Sequence, residues 1–192
     1  MLTVVTGPMF AGKTKWLIEW CNIGEGIGQA IQVLRPEKDN RHRSERILSH
    51  DGEEFPALIV KNDLKGVPTD DPFIDAFVFD EAQFFSPNRL VEVVKDLLFN
   101  KNKGVLIAGL CQDTFGNNFG AMPTLLCMAD NIVHLKANCS RCNTSQIATR
   151  TYRKIKSKEQ TVVGGLDMYE PRCFRCWREN DANTSKDPEV SI

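Results

Sequence analysis

Gly7-Pro8-Met9-Phe10-Ala11-Gly12-Lys13-Thr14 satisfies the pattern G-x-x-x-x-G-K-[ST] in full. It stands directly behind Leu2-Thr3-Val4-Val5-Thr6, a short β-branched run that reads as a buried strand. Residues 14–21 then follow on a helical period. Strand, glycine loop and helix, in that order, is the setting that a phosphate-binding P-loop requires. The glycines let backbone N–H groups turn toward one point, and the helix start adds partial positive charge there. Lys13 is then placed for the β- and γ-phosphates of ATP, and the Thr14 hydroxyl for Mg²⁺. A chance match in a glycine turn is the competing reading, and the strand in front of the loop weighs against it. Nucleoside-triphosphate binding is the expectation.

The chain has 192 residues, enough for one domain or one domain with a small appendage. Its hydrophobic fraction of 42% allows a conventional core. A formal charge of −1 argues against attraction of the whole protein to nucleic acid or membrane. No apolar run approaches the roughly 20 residues needed to span a bilayer. Because the first residues already form the strand of the P-loop unit, no cleavable signal peptide is expected. Seven cysteines in such a chain suggest a reducing, cytoplasmic setting with sulfurs free or bound to metal.

Further strands are expected at 30–34, 55–60, 76–79 and 104–110, and a helix over 87–99 with Pro87 in its first turn. Between them lies Glu37-Lys38-Asp39-Asn40-Arg41-His42-Arg43-Ser44-Glu45-Arg46, too polar for a core. It reads either as a solvated loop or as a segment touching phosphate or metal. Alternation of strands and helices indicates an α/β fold with a parallel sheet. The expected division is a P-loop domain at 1–136, a zinc-binding domain at 137–179 and a polar, disordered tail at 180–192.

Phe77-Val78-Phe79-Asp80-Glu81 is a hydrophobic strand that delivers two carboxylates at its C-terminal edge. In P-loop proteins the phosphates lie at that edge. An Asp there can hold Mg²⁺, and the adjacent Glu can take a proton from an attacking hydroxyl. An acidic helix start is the bland alternative. The pair is weak alone and gains its meaning from the complete P-loop.

Cys139-Ser140-Arg141-Cys142 and Cys173-Phe174-Arg175-Cys176 form two C-x-x-C pairs about thirty residues apart. Two sulfurs from each tight turn suit tetrahedral zinc, and four thiolates leave no open position for catalysis. A structural Zn²⁺ is expected. Cys21, Cys111 and Cys127 sit among apolar residues and read as core.

Taken together, these elements resemble the cytosolic-type (type II) thymidine kinases. The loop has Met-Phe between its glycines, and Asp80-Glu81-Ala82-Gln83-Phe84-Phe85 is similar to the D-E-x-Q-F signature. Asp39-Asn40-Arg41 and Ser49-His50-Asp51 resemble the D-x-R and [ST]-H-D segments. Gly109-Leu110, Asp113, Phe115 and Phe119-Gly120 resemble the G-L-x-x-D-F…F-x-G block, with one residue more between Asp and Phe than the bacterial-type pattern has. Val162-Val163-Gly164-Gly165-Leu166-Asp167-Met168-Tyr169 resembles the nucleoside-covering lasso, bracketed by the cysteine pairs.

The resemblance implies transfer of the γ-phosphoryl of ATP to the 5′-hydroxyl of thymidine. Glu81 falls at the general base and Asp80 at the Mg²⁺-associated carboxylate, while Arg41 and Gln83 join the P-loop residues on the ATP side. Phe84, Leu110, Phe115, Phe119 and Thr151 fall near positions lining the thymine pocket. Val162, Val163, Gly164, Gly165 and Tyr169 fall on the lasso that holds the nucleoside. A homotetramer is implied as well, with thymidine and ATP as partners.

A different class of reading is a zinc-ribbon P-loop ATPase acting on nucleic acid. Between residues 136 and 178, ten Lys/Arg stand against three acids, and such a patch can track phosphates. It can equally be a solvated face or a field that steers an anionic nucleotide. The short chain leaves little room for the coupling elements of a helicase or recombinase, so nucleic acid is not the expected partner.

Overall fold

The computed structural model describes residues 1–39, 44–142 and 146–179. Arg41 and the expected tail from residue 180 lie outside the described residues. Strands β1 (Leu2–Thr6), β2 (Ile31–Pro36), β5 (Leu58–Val60), β6 (Ala76–Phe79), β7 (Gly104–Gly109) and β8 (Asn131–His134) form one sheet. Their order is β5-β2-β6-β7-β1-β8, and every pairing is parallel. Val4 lies opposite Ile107, and Val78 opposite Leu106. The expected α/β class with a parallel sheet is present.

Parallel strands are buried on both faces, so their residues read as continuous apolar runs. Period-two geometry sends neighbours to opposite sides. Phe77, Phe79, Val105 and Ile107 join one core cluster with Leu90, Val94 and Leu97. Val78 and Leu106 join the other, with Leu17, Ile18 and Cys21. Helix α1 (Lys13–Gly26) covers that second face, and α2 (Pro87–Lys95) and α3 (Met122–Met128) cover the first.

Three local expectations are corrected. The single strand at 55–60 is two strands: β4 (Glu54–Pro56) pairs antiparallel with β3 (Arg46–Leu48), and β5 enters the main sheet. Ala57 N–H still donates to Glu45 O at 3.0 Å in the hairpin register, and the chain then passes at once into β5, where Leu58 pairs with Leu34. The helix over 87–99 is α-helical only to Lys95 and continues as a wider π-type turn over Asp96–Asn100. Of the three cysteines read as core, Cys21 is buried, with its thiol pushed up to about 12 chiefly by burial. Cys111 is half-buried, whereas Cys127 is exposed on α3.

The remaining chain forms the small unit expected around the cysteines. Strands β9 (Ala137–Asn138) and β10 (Ile147–Ala148) make one antiparallel pair. A second pair joins β11 (Arg150–Arg153) to β12 (Tyr169–Arg172), and α4 (Phe174–Arg178) closes the unit. Residues 154–168, which carry the lasso, connect β11 to β12, so both ends of this connection are fixed in one hairpin.

Candidate active site

The P-loop leaves β1 and ends at α1. Gly7 has a φ of 149°, and a Cβ there would lie 2.3 Å from the Leu135 carbonyl oxygen, so only glycine lets the loop start against that backbone. Lys13 is buried, and its Nζ donates to Pro8 O at 2.8 Å and Gly7 O at 3.2 Å. The ammonium therefore sits over the loop that would receive the phosphates. Phe10 carries a φ of 64° and meets His50 edge-on at 6.3 Å between ring centroids. That contact ties the loop to the tip of the β3–β4 hairpin.

Asp80 and Glu81 leave β6 on the same edge of the sheet. Thr14 Oγ1 lies 3.3 Å from Asp80 Oδ2, while Asp80 Oδ1 accepts the Glu81 N–H at 2.9 Å. A buried carboxylate beside a hydroxyl oxygen is a donor set of the hard, all-oxygen kind that suits Mg²⁺. Glu81 has a φ of 49°, a left-handed conformation that costs a non-glycine residue roughly 1–3 kcal/mol and clusters at functional sites. Its carboxylate accepts Gln83 Nε2 at 2.5 Å, and Gln83 Oε1 accepts the Leu110 N–H at 3.0 Å. The fixed amide holds the Glu81 side chain to one orientation.

Two cavities meet at Glu81. The larger, about 890 Å³, is lined by Gly12, Lys13, Thr14, Lys15, the hairpin tip 48–52 and the lasso residues Gly165 and Leu166. The smaller, about 40 Å³, is lined by Phe84, Phe119, Leu110, Thr151, Val162, Val163, Gly164 and Tyr169. Met9, Glu81 and Leu110 line both. Thr151 is buried and its Oγ1 accepts the Met9 N–H at 2.9 Å, so the P-loop and the smaller cavity share a wall.

Most of the expected site residues thus converge, and three are placed differently, two expected on the substrate side and Gln83 expected on the ATP side. Phe115 does not line the smaller cavity: it is 43% exposed, with its ring 5.6 Å from the Arg153 guanidinium. Its neighbour Thr114 is on the wall instead. Gly165 faces the larger cavity, and a Cβ there would meet only Asp167 Oδ1 at 3.5 Å. Gln83 lines the smaller cavity and braces Glu81, away from the P-loop.

Tyr169 is buried, and its hydroxyl donates to the Val162 carbonyl, closing the lasso on itself. Arg153 holds the other arm by donating to Glu159 O at 2.7 Å and Gln160 O at 3.0 Å. Its guanidinium also lies 5.7 Å from the Tyr169 ring.

The four sulfurs of Cys139, Cys142, Cys173 and Cys176 lie within 4.8 Å of one another. Cys142 Sγ is 3.6 Å from Cys173 Sγ and 3.1 Å from Cys176 Sγ. Tetrahedral zinc with Zn–S near 2.3 Å sets sulfurs about 3.8 Å apart, so the cluster fits that ion. Burial works against a thiolate at Cys139, yet backbone N–H groups of Cys173, Arg141 and Cys142 bring its thiol down to about 6. A backbone cage for a sulfur anion is what a zinc ligand needs.

The pattern of the thymidine kinase family matches residues 1–177. The chain belongs to the thymidine kinase family. A thymidine kinase of Coprothermobacter proteolyticus is 39% identical over 90% of this chain and 87% of the relative. One of onion yellows phytoplasma is 37% identical over 90% and 84%, and one of Metamycoplasma arthritidis 35% over 92% and 89%. Within this thymidine kinase fold, Arg153, Gln160 and Thr114 line the smaller cavity, and the sequence reading passed them over. Arg153 carried a legible signal, since it stands two residues from Thr151 on the same side of a strand. Thr114 carried none, because a threonine in a polar loop has no pattern of its own.

Proposed function

We propose that this protein transfers the γ-phosphoryl group of ATP to the 5′-hydroxyl of thymidine, giving dTMP. The observation that carries the reading is Glu81, which stands where a P-loop cavity meets a lasso-covered cavity. In the larger cavity Lys13 and the loop N–H groups would bind the triphosphate. Thr14 and Asp80 would hold Mg²⁺, which neutralises phosphate charge when bound. Phe84 and Phe119 meet edge-on at 5.8 Å and offer apolar walls for a flat base.

Glu81 accepts the proton of the 5′-hydroxyl as its oxygen bonds to the γ-phosphorus. The bond from that phosphorus to the β-bridging oxygen breaks, and ADP leaves. Phosphoryl transfer needs alignment and charge compensation more than covalent help, and a carboxylate fixed by Gln83 supplies the alignment. On this reading residues 1–136 handle the phosphates, and residues 137–179 carry structural zinc and the lasso.

The basic patch of the small domain is largely spent on internal contacts, which weighs against nucleic acid. Arg175 pairs with Glu179 at 2.8 Å, Arg172 pairs with Glu170 at 2.5 Å and stacks on Tyr152, and Arg153 clamps the lasso. A coupled assay of ADP release tests the function. Release that depends on thymidine supports the kinase, and release that depends on DNA overturns it.

A further inference from the structure

The loop that follows β7 presents Thr114 to the smaller cavity. Its Oγ1 is buried and has no hydrogen-bond partner among the described residues. Arg153 Nε is also buried without a partner among them, and Arg153 lines the same cavity. A buried polar atom left unpaired costs about 1–3 kcal/mol, so two around one cavity point to a polar ligand that satisfies them.

The hydroxyl is held in place. Trp177 Nε1 on α4 donates to the Thr114 carbonyl at 3.2 Å. The Asp113 carboxylate accepts the N–H groups of Phe115 and Asn117, each at 2.9 Å, and Gln160 Nε2 also at 2.9 Å. The loop is therefore pinned from the zinc-binding unit, from within and from the lasso. A rigidly placed donor loses little entropy when it meets a ligand.

Glu81 stands at the boundary of the two cavities and so marks the end that receives the reacting hydroxyl. Thr114 lines only the smaller cavity, on the side that would take the base. We propose that Thr114 is a specificity-determining residue whose hydroxyl hydrogen-bonds a carbonyl oxygen of the pyrimidine base, in the cavity that Arg153 also lines. The proposal rests on the thymidine kinase reading above. A site built with unpaired donors rejects a base that lacks the matching acceptor, because the donors then stay unpaired.

The test is steady-state kinetics of wild type, Thr114→Val and Thr114→Ser, with thymidine and ATP varied in turn. Val keeps the shape and removes the O–H. Thr114→Val is expected to raise the thymidine KM about three- to tenfold, the value of one neutral hydrogen bond, with the ATP KM unchanged. Thr114→Ser is expected to restore it. A thymidine KM unchanged in Thr114→Val overturns the proposal while leaving the kinase reading intact, and assigns the hydroxyl to water. If Val disturbs the fold and moves both KM values, Thr114→Ala against Thr114→Ser supplies the same comparison. With 3′-deoxythymidine the penalty is expected to persist, and its disappearance assigns the hydroxyl to the sugar and overturns the base contact. A wild-type enzyme inactive on thymidine overturns both readings together.

Discussion

The side-chain amide of Gln83 donates to the Glu81 carboxylate at 2.5 Å while its own oxygen accepts the Leu110 N–H. One residue thus connects Glu81, the proposed base, to the end of β7, and the left-handed backbone of Glu81 is braced rather than loose. Glu81→Gln is expected to keep ATP binding and the fold and to lose about 10²–10⁴ in turnover, the usual contribution of a general base. Turnover close to wild type would show that the proton leaves by another route.

Gln83→Glu places a second carboxylate against Glu81. Like charges disfavour ionisation, so the Glu81 carboxyl should titrate at higher pH than in wild type. The ionised base then forms later as pH rises, and the acid limb of the kcat profile should move upward. A pH–rate profile with the limb in its original place would mean that Gln83 does not act through Glu81.

The sulfur cluster predicts about one zinc per chain by elemental analysis. Cys142→Ser should lower the thermal midpoint before it touches the chemistry. Because Trp177 on α4 holds the Thr114 loop, weakened zinc should raise the thymidine KM more than the ATP KM. Protein purified without chelator and found free of metal would remove this role.

Tyr169→Phe removes the hydroxyl that closes the lasso on Val162 O but keeps the buried ring. The loss of one neutral hydrogen bond is roughly 0.5–1.5 kcal/mol, and it should appear in the thymidine KM. Equal changes in both KM values would instead report a general folding defect.

The P-loop, the Asp80-Glu81 pair and the two cysteine pairs were all legible before any coordinate. Each depends on spacing along a single turn or at one strand end, and spacing is a property of the chain itself. Strands β1, β2, β6 and β7 were legible for the same reason, since a parallel sheet buried on both faces writes continuous apolar runs such as Phe77-Val78-Phe79, whereas the edge strand β8, mostly exposed, writes no such run and was not expected. Where the expectation slipped, partner choice decided it: residues 54–56 pair with the hairpin strand β3 and residues 58–60 with β2 of the main sheet, so the strand expected over 55–60 became two.

What tertiary structure alone decided is who faces whom. Of the neighbours Thr114 and Phe115, it is Thr114 that lines the cavity, while Phe115 turns out beneath Arg153. Gln83 was legible as part of a signature, but its work as the brace of Glu81 depends on Leu110, 27 residues away in sequence and one hydrogen bond away in space. Long-range contacts of that kind arise from packing, which couples residues by distance and burial rather than by order. The sequence therefore determined the chemistry that is present, and the fold determined its direction.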